Sequence, residues 1–266
     1  MMSTITKTLV VGLGEVGGAL AEVLERTHPV LKHDIERREF SDPIGVMHLC
    51  FPFTSRAQFE PLAMEYIRRF KPEVTIINST VLPGTTRSIA EKTASPVVYS
   101  PVRGKHAKMT KDLLHYQKFV AASEEAWALK AAAHFQEHGM KTHKLDKPET
   151  LEVAKLGETT YFGVIIAWAQ EFNRYVQRAG GDYEEATEFF EEIAFLPRQR
   201  YFPGFIGGHC VIPNINLLLQ IDSAPLLEAV LDSNQRRATE LSEEAASATA
   251  GTNGESAREQ KLSAHR

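Results

Sequence analysis

The sequence predicts an α/β protein in which a doubly wound parallel sheet is followed by an all-α domain. Three observations carry that expectation within the 266 residues. A glycine-rich turn, Gly12-Leu13-Gly14-Glu15-Val16-Gly17, stands between an apolar β-branched run and an amphipathic helical pattern. Short apolar strands then alternate with helical segments as far as about Leu145, the signature of strands laid side by side with helices crossing over them. From about Pro148 the strand pattern gives way to long helical periodicity.

The glycine turn is read in context. Thr8-Leu9-Val10-Val11 is a buried strand, and Gly18 to Leu24 places apolar residues at helical spacing. In that setting the first glycine makes the tight turn, the second admits a pyrophosphate, and the third lets helix pack on strand. The helix start, with Gly14, Glu15, Val16 and Gly17, offers unpaired N–H groups to phosphate oxygens. A second strand, Val30 to Asp34, ends on an acid 17 residues past Gly17. That acid lies near the roughly 20-residue separation at which a carboxylate binds the ribose 2′-hydroxyl of NAD. Asp34 would repel a 2′-phosphate, although Arg37 and Arg38 leave NADP open. The expected domain is therefore Rossmann-type and NAD-binding, over 1–147.

The remaining elements follow in order. Val46 to Phe51 is a strand, 55–70 a helix, and Val74 to Asn78 a strand. Pro83-Gly84-Thr85-Thr86 opens the next helix, and Val97–Tyr99 and Phe119–Ala121 are short strands. Lys105 to Leu114 is expected to be mostly loop, with about a turn of helix. Ala126 to His138 is a helix and Met140 to Leu145 the last strand. Cys50 falls in an apolar strand and reads as a small core residue. In the second domain, 148–245, Thr150 to Ala179 can run as one long helix ended by Gly180-Gly181. It is apolar over so much of its circumference that a homodimer through it is expected. Tyr183 to Phe195 and Pro225 to about Glu244 are further helices. Residues 246–266 are rich in Ser, Ala, Thr, Gly and charge, and read as a disordered tail.

Composition narrows the function. Hydrophobic content of 43%, charged content of 24% and a net charge of −4 belong to an ordinary globule. They give no general pull toward nucleic acid or membrane, and no apolar run reaches the roughly 20 residues that span a bilayer. Two cysteines, Cys50 and Cys210, cannot frame a disulfide scaffold, and no secretory signal is visible. A cytoplasmic protein acting on a small molecule is expected.

Four stretches could carry chemistry. In Phe202-Pro203-Gly204-Phe205-Ile206-Gly207-Gly208-His209-Cys210, paired glycines strip side chains from backbone beside a His-Cys pair. That suits a close-approaching ligand and a thiol of lowered pKa, or equally a structural turn. No second ligand set stands near enough to make it a zinc site. Lys155, on the long helix near the domain junction, could move a proton or hold an oxyanion, or be a solvated helix lysine. Ser79-Thr80, after a strand, sits where doubly wound sheets bind ligands, or its hydroxyls are helix caps. Arg103 and Lys105, after the next strand, could meet an anionic substrate or water.

Taken in this order, the stretches resemble the UDP-glucose/GDP-mannose dehydrogenase family. The matching segments are Gly12–Gly18, Ser79–Thr86, Ser100-Pro101, Glu152–Tyr161 with Lys155, and Gly207-Gly208-His209-Cys210. The resemblance implies a dehydrogenase that oxidises a sugar-nucleotide primary alcohol to the acid in two NAD-dependent steps. Cys210 would carry a thiohemiacetal and then a thioester, with Lys155 beside it. Thr159 stands where the family usually has asparagine, Asn214 where it has aspartate, and Val102 where it often has an acid. The family's third, nucleotide-gripping domain would begin where this chain stops, so a shortened member is expected. Two other readings are a two-electron β-hydroxyacid-type dehydrogenase using Lys155, and a non-catalytic NAD-binding sensor or scaffold.

Overall fold

The computed structural model describes residues 7–34, 40–104, 108–156, 158, 175–176, 178–191, 205, 223–232, 234–236, 238–239, 241–243 and 245. The chain divides into two compact units, Met1–Tyr161 and Phe162–Arg266.

The first unit is a seven-stranded sheet of order β2-β1-β3-β4-β5-β6-β7. Its strands are β1 (Lys7–Val11), β2 (Val30–His33), β3 (Ile44–Leu49), β4 (Val74–Ile77), β5 (Val97–Tyr99), β6 (Lys118–Ala122) and β7 (Thr142–Leu145). Its helices are α1 (Glu15–Leu24), α2 (Arg56–Phe70), α3 (Thr85–Thr93), α4 (Met109–His115), α5 (Glu125–Glu137) and α6 (148–156). β3 and β4 are buried at every position, as strands covered by helices on both faces must be. One core, around Leu20, Val46, Val98 and Phe135, fills one side of the sheet. A second, around Leu49, Phe59, Ile77 and Tyr99, fills the other.

Two expectations are corrected. The sheet is not wholly parallel: β5 and β6 pair antiparallel, Val98 with Ala122 and Tyr99 with Ala121, and β7 then runs parallel to β6. A helix between two strands is needed for a parallel crossover but does not enforce one. The segment expected to be mostly loop holds α4, two turns seated by the buried pair Met109 and Leu113 at i,i+4 spacing. Cys50 lies just beyond the end of β3, half-buried against the core.

The helix expected from Thr150 begins at 148, and residues 159–174 lie outside the described ones. In the second unit α7 (Tyr183–Glu191) and α8 (225–232) are described, and Tyr175, Ala224 and Leu227 form a small core with Val230 and Leu231 against it. The proposed tail falls outside the described residues. Among those described, no helix is long and apolar enough to cross a membrane.

One buried carboxylate ties α6 to the sheet. Glu152 is fully buried and accepts from the Gly84 N–H at 2.5 Å, the Thr86 N–H at 2.9 Å and the Thr86 hydroxyl at 2.6 Å. It caps α3 from another helix, where no side chain of α3's own N-cap, Gly84, could. Removing it leaves those donors buried without a partner. Glu152→Ala should therefore lower stability by about 3 kcal/mol and Glu152→Gln by less, as read from urea unfolding followed by circular dichroism.

Candidate active site

The carboxyl ends of the parallel strands form one row. Beyond each strand the ladder takes a further step: Gly12 N–H donates to His33 O, Cys50 N–H to Val11 O, Asn78 N–H to Leu49 O and Ser100 N–H to Ile77 O, each at 2.9 Å. Asp34, Gly12, Cys50, Asn78 and Ser100 thus succeed one another along a single edge. The strand order reverses between β1 and β3, the crevice where such sheets bind ligands.

At that crevice each glycine of the turn has its own constraint. Gly12 has φ +86°, and a Cβ there would meet Phe51 N at 2.9 Å. A Cβ on Gly17 would lie 1.8 Å from Gly12 O and 3.0 Å from the Cys50 Cβ. Gly14, the N-cap of α1, has nothing within 4 Å of an added Cβ and no side chain capping the helix. Two glycines are demanded by the protein's own packing, and the third faces open space at a helix N-terminus. That is what a pyrophosphate-binding turn requires. Glu15 and Val16 form the first turn of α1, and Asp34 is exposed just past β2. These residues fit a dinucleotide. Ser79 donates to Phe51 O at 2.6 Å, locking two rim loops together, while Thr80 is exposed.

Arg103 and Lys155 come together. Both line a cavity of about 140 Å³ with Pro101, Phe119, Leu145, Leu151, Ala154 and Glu158. Arg103 Nη2 donates to Gln117 O at 2.7 Å, and its guanidinium lies 4.7 Å from the Phe119 ring centre. Lys155 Nζ meets Glu158 Oε2 at 3.0 Å with its side chain 13% exposed, so it is not the solvated helix lysine that spacing alone allowed. The pocket has apolar walls and two cations at its rim. Val102, by contrast, is buried in the core, so the position after Ser-Pro carries no proton donor into the pocket.

Beneath the rim runs a polar network that the sequence reading did not find. His48 on β3 is fully buried, with Nε2 3.0 Å from His134 Nε2 and Nδ1 receiving Asn78 Nδ2 at 3.2 Å. Asn78 Oδ1 accepts from Lys118 Nζ at 3.1 Å. Burial, then the neighbouring His134, holds His48 well below the usual imidazole range; burial takes His134 to about 4. Burial likewise pushes the Cys50 thiol up to about 12, which keeps it protonated. Lys105, Thr159, Gly207, Gly208, His209, Cys210 and Asn214 lie outside the described residues.

Residues 149–236 match the model of the UDP-glucose/GDP-mannose dehydrogenase family, central domain. The UDP-N-acetyl-D-mannosamine dehydrogenase of Methanocaldococcus jannaschii is 30% identical over 140 residues, 51% of this chain and 33% of that protein. Its namesake from Pyrococcus horikoshii is 29% identical over 158 residues, 55% of this chain and 37% of that protein. The family match thus lies in one stretch, the central domain over residues 149–236, about a third of this chain. The matched stretch spans about a third of the length of these curated relatives. In fold it is similar to a GDP-mannose dehydrogenase from Pseudomonas aeruginosa solved as a ternary complex, with TM-score 0.71, 17% identity, and coverage of 87% of this chain and 69% of that one. Of the segments that carry the resemblance, Gly12–Gly18, Ser79–Thr86 and Ser100-Pro101 lie within the described residues, as does Lys155 on α6.

The glycines separate packing from binding. Gly17→Ala should destabilise the protein by roughly 3 kcal/mol, because backbone must move. Gly14→Ala should stay within about 1 kcal/mol of the parent and weaken NAD binding at least tenfold. Thermal unfolding and calorimetric titration with NAD check both.

Proposed function

We propose that the chain is an NAD-dependent oxidoreductase that oxidises the alcohol carbon of a nucleotide sugar to the acid, with the intermediate carried on Cys210. The observation behind this reading is the open Gly14 cradle and the Arg103–Lys155 pocket at the carboxyl ends of one sheet. Gly12, Gly14, Glu15, Val16 and Gly17 would hold the pyrophosphate, Asp34 the ribose hydroxyls, and Ser79 and Thr80 the rim above them. Asp34 favours NAD over NADP. The bound dinucleotide supplies the hydride acceptor.

The chain's own residues divide the remaining work. Lys155, beside Glu158, takes the proton of the alcohol or holds the oxyanion that replaces it. Arg103 offers a fixed cation to the substrate's negative charge, joined by Lys105. Cys210, with Gly207, Gly208 and His209 admitting substrate to the backbone, attacks the aldehyde carbon as thiolate. The resulting thiohemiacetal gives up hydride to become a thioester, and water then releases the acid and the thiol. Asn214 and Thr159 can orient that water by hydrogen bonds but cannot take its proton. The two relatives are dehydrogenases of UDP-N-acetyl-D-mannosamine, which makes that nucleotide sugar the first substrate to try. Two chains are proposed to pair through the helix that begins near Thr150, which light scattering would test.

With NAD and UDP-N-acetylmannosamine the purified chain should form two NADH per sugar, followed at 340 nm. Cys210→Ser should make no acid, and Lys155→Ala should lower kcat by about 100-fold or more with NAD affinity unchanged. Full turnover by Cys210→Ser would remove the thiol from the mechanism. One NADH per sugar would stop the reaction at the aldehyde.

A further inference from the structure

Lys118 opens β6 and is 3% exposed, a depth at which lysine is kept only when its charge is met. Its Nζ donates to Ser100 O at 2.6 Å, Pro101 O at 3.1 Å and Asn78 Oδ1 at 3.1 Å. Three donors meet three acceptors, above the Phe135 ring at 5.1 Å. Ser100 and Pro101 belong to the extended segment that leads from β5 to Arg103. Arg103 in turn reaches back to the same end of β6, donating to Gln117 O and lying over the rings of Phe119 and Tyr116. The Ser100 hydroxyl adds a bond to Phe119 O at 2.7 Å. Residues 116–119 therefore hold Ser100, Pro101 and Arg103, and the Lys118 ammonium is the charged group that clamps the segment from below while the Arg103 guanidinium closes its far end.

We propose that Lys118 is a positioning residue of the candidate site: from beneath the rim it fixes the Ser100–Pro101 segment and so keeps Arg103 at the pocket shared with Lys155. Its consequence for turnover rests on the reading of that pocket as the seat of an anionic substrate; its consequence for the placement of Arg103 does not.

The groups around Lys118 set when the clamp holds. Burial lowers its pKa from 10.5 to about 7, with Cys50 opposing and Arg103 and Lys155 adding to the shift. His48 on β3, which Lys118 itself helps to depress, His134 on α5 and His138 just past its end are held below the usual imidazole range. Lys118 is therefore the group in this cluster that changes charge near neutrality. As pH rises through about 7 the ammonium loses a proton, two N–H groups remain for three acceptors, and one carbonyl faces a lone pair. Arg103 is held below that pH and loosened above it. Stability runs the other way. The unfolded lysine stays protonated up to its ordinary value, so between the two values the group's contribution to folding rises with pH. A lysine that served the core alone would tighten the whole chain across this window.

Trypsin cleavage after Arg103, measured by mass spectrometry on the full chain and normalised to cleavage after the exposed Arg26, reads the clamp directly. In the parent the ratio should rise about tenfold between pH 6 and pH 9. In Lys118→Met it should already be high at pH 6 and flat with pH. A flat parent, or a variant indistinguishable from it, would overturn the proposal. Should Lys118→Met unfold, both sites would open together and the parent's pH series alone would decide. With UDP-N-acetylmannosamine as probe, Lys118→Met should raise KM about tenfold more than it lowers kcat, and add nothing once Arg103→Ala is present. Additive losses would mean Lys118 does not act through Arg103. No turnover by the parent would sink the pocket's assignment, while the digest would still decide Lys118.

Discussion

The carboxylate of Glu152 is the contact on which the candidate site depends. It is buried at the start of α3, more than sixty residues away in sequence, and its two oxygens take up both N–H groups and the hydroxyl of the Gly84–Thr86 turn. A helix N-terminus buried without partners is unfavourable, and a carboxylate there is favoured by the helix dipole as well as by its hydrogen bonds. The same contact orients α6. Lys155 lies three residues on, nearly one turn from Glu152, so once the carboxylate is seated the amine is carried to the pocket beside Arg103. The turn Pro83-Gly84-Thr85-Thr86 thus anchors the helix that carries Lys155.

A second constraint acts on the other side of the rim. The ends of β3, β4 and β6 bring His48, Asn78 and Lys118 into one buried polar chain, continued by His134 from α5. Two neutral imidazoles and an amide can be buried because each has a partner; the ammonium can be buried because three oxygens meet it. Buried charge of this kind adds little net stability compared with apolar packing, but it fixes geometry strongly. Here it fixes the two strand-end segments, at Asn78 and at Ser100-Pro101.

Much of the fold was legible in the sequence because its constraints are local. Gly12, Gly14 and Gly17 lie within six residues, and the strand and helix on either side supply the context that gives their spacing meaning. The succession of short strands and helices likewise follows from periodicity. The direction of β6 does not: the Tyr99-to-Lys118 connection holds a helix, as a parallel crossover would, yet the chain returns antiparallel. Glu152, Asn78 and Lys118 were illegible for a different reason. Each gains its role from partners 17 to 68 residues away, which its own stretch of sequence does not name. The signal that could have marked Lys118 was a lysine heading an apolar strand, Lys118-Phe119-Val120-Ala121-Ala122, where a charge must find company.

The segment after β5 shows how one short extended stretch sorts its side chains. Ser100 bonds across to β6 and Val102 enters the core, while Arg103 emerges at the pocket. An acid in place of Val102 would have to bury its charge in that apolar core or pull the segment out of register, and burial of an unpaired carboxylate is strongly unfavourable. The valine is therefore tied to the way this segment packs, and an acid cannot be restored there without repacking it. What the rim offers instead is positive: Arg103 braced by Gln117 and two rings, Lys155 beside Glu158, and Lys118 below. Such an arrangement is suited to holding developing negative charge.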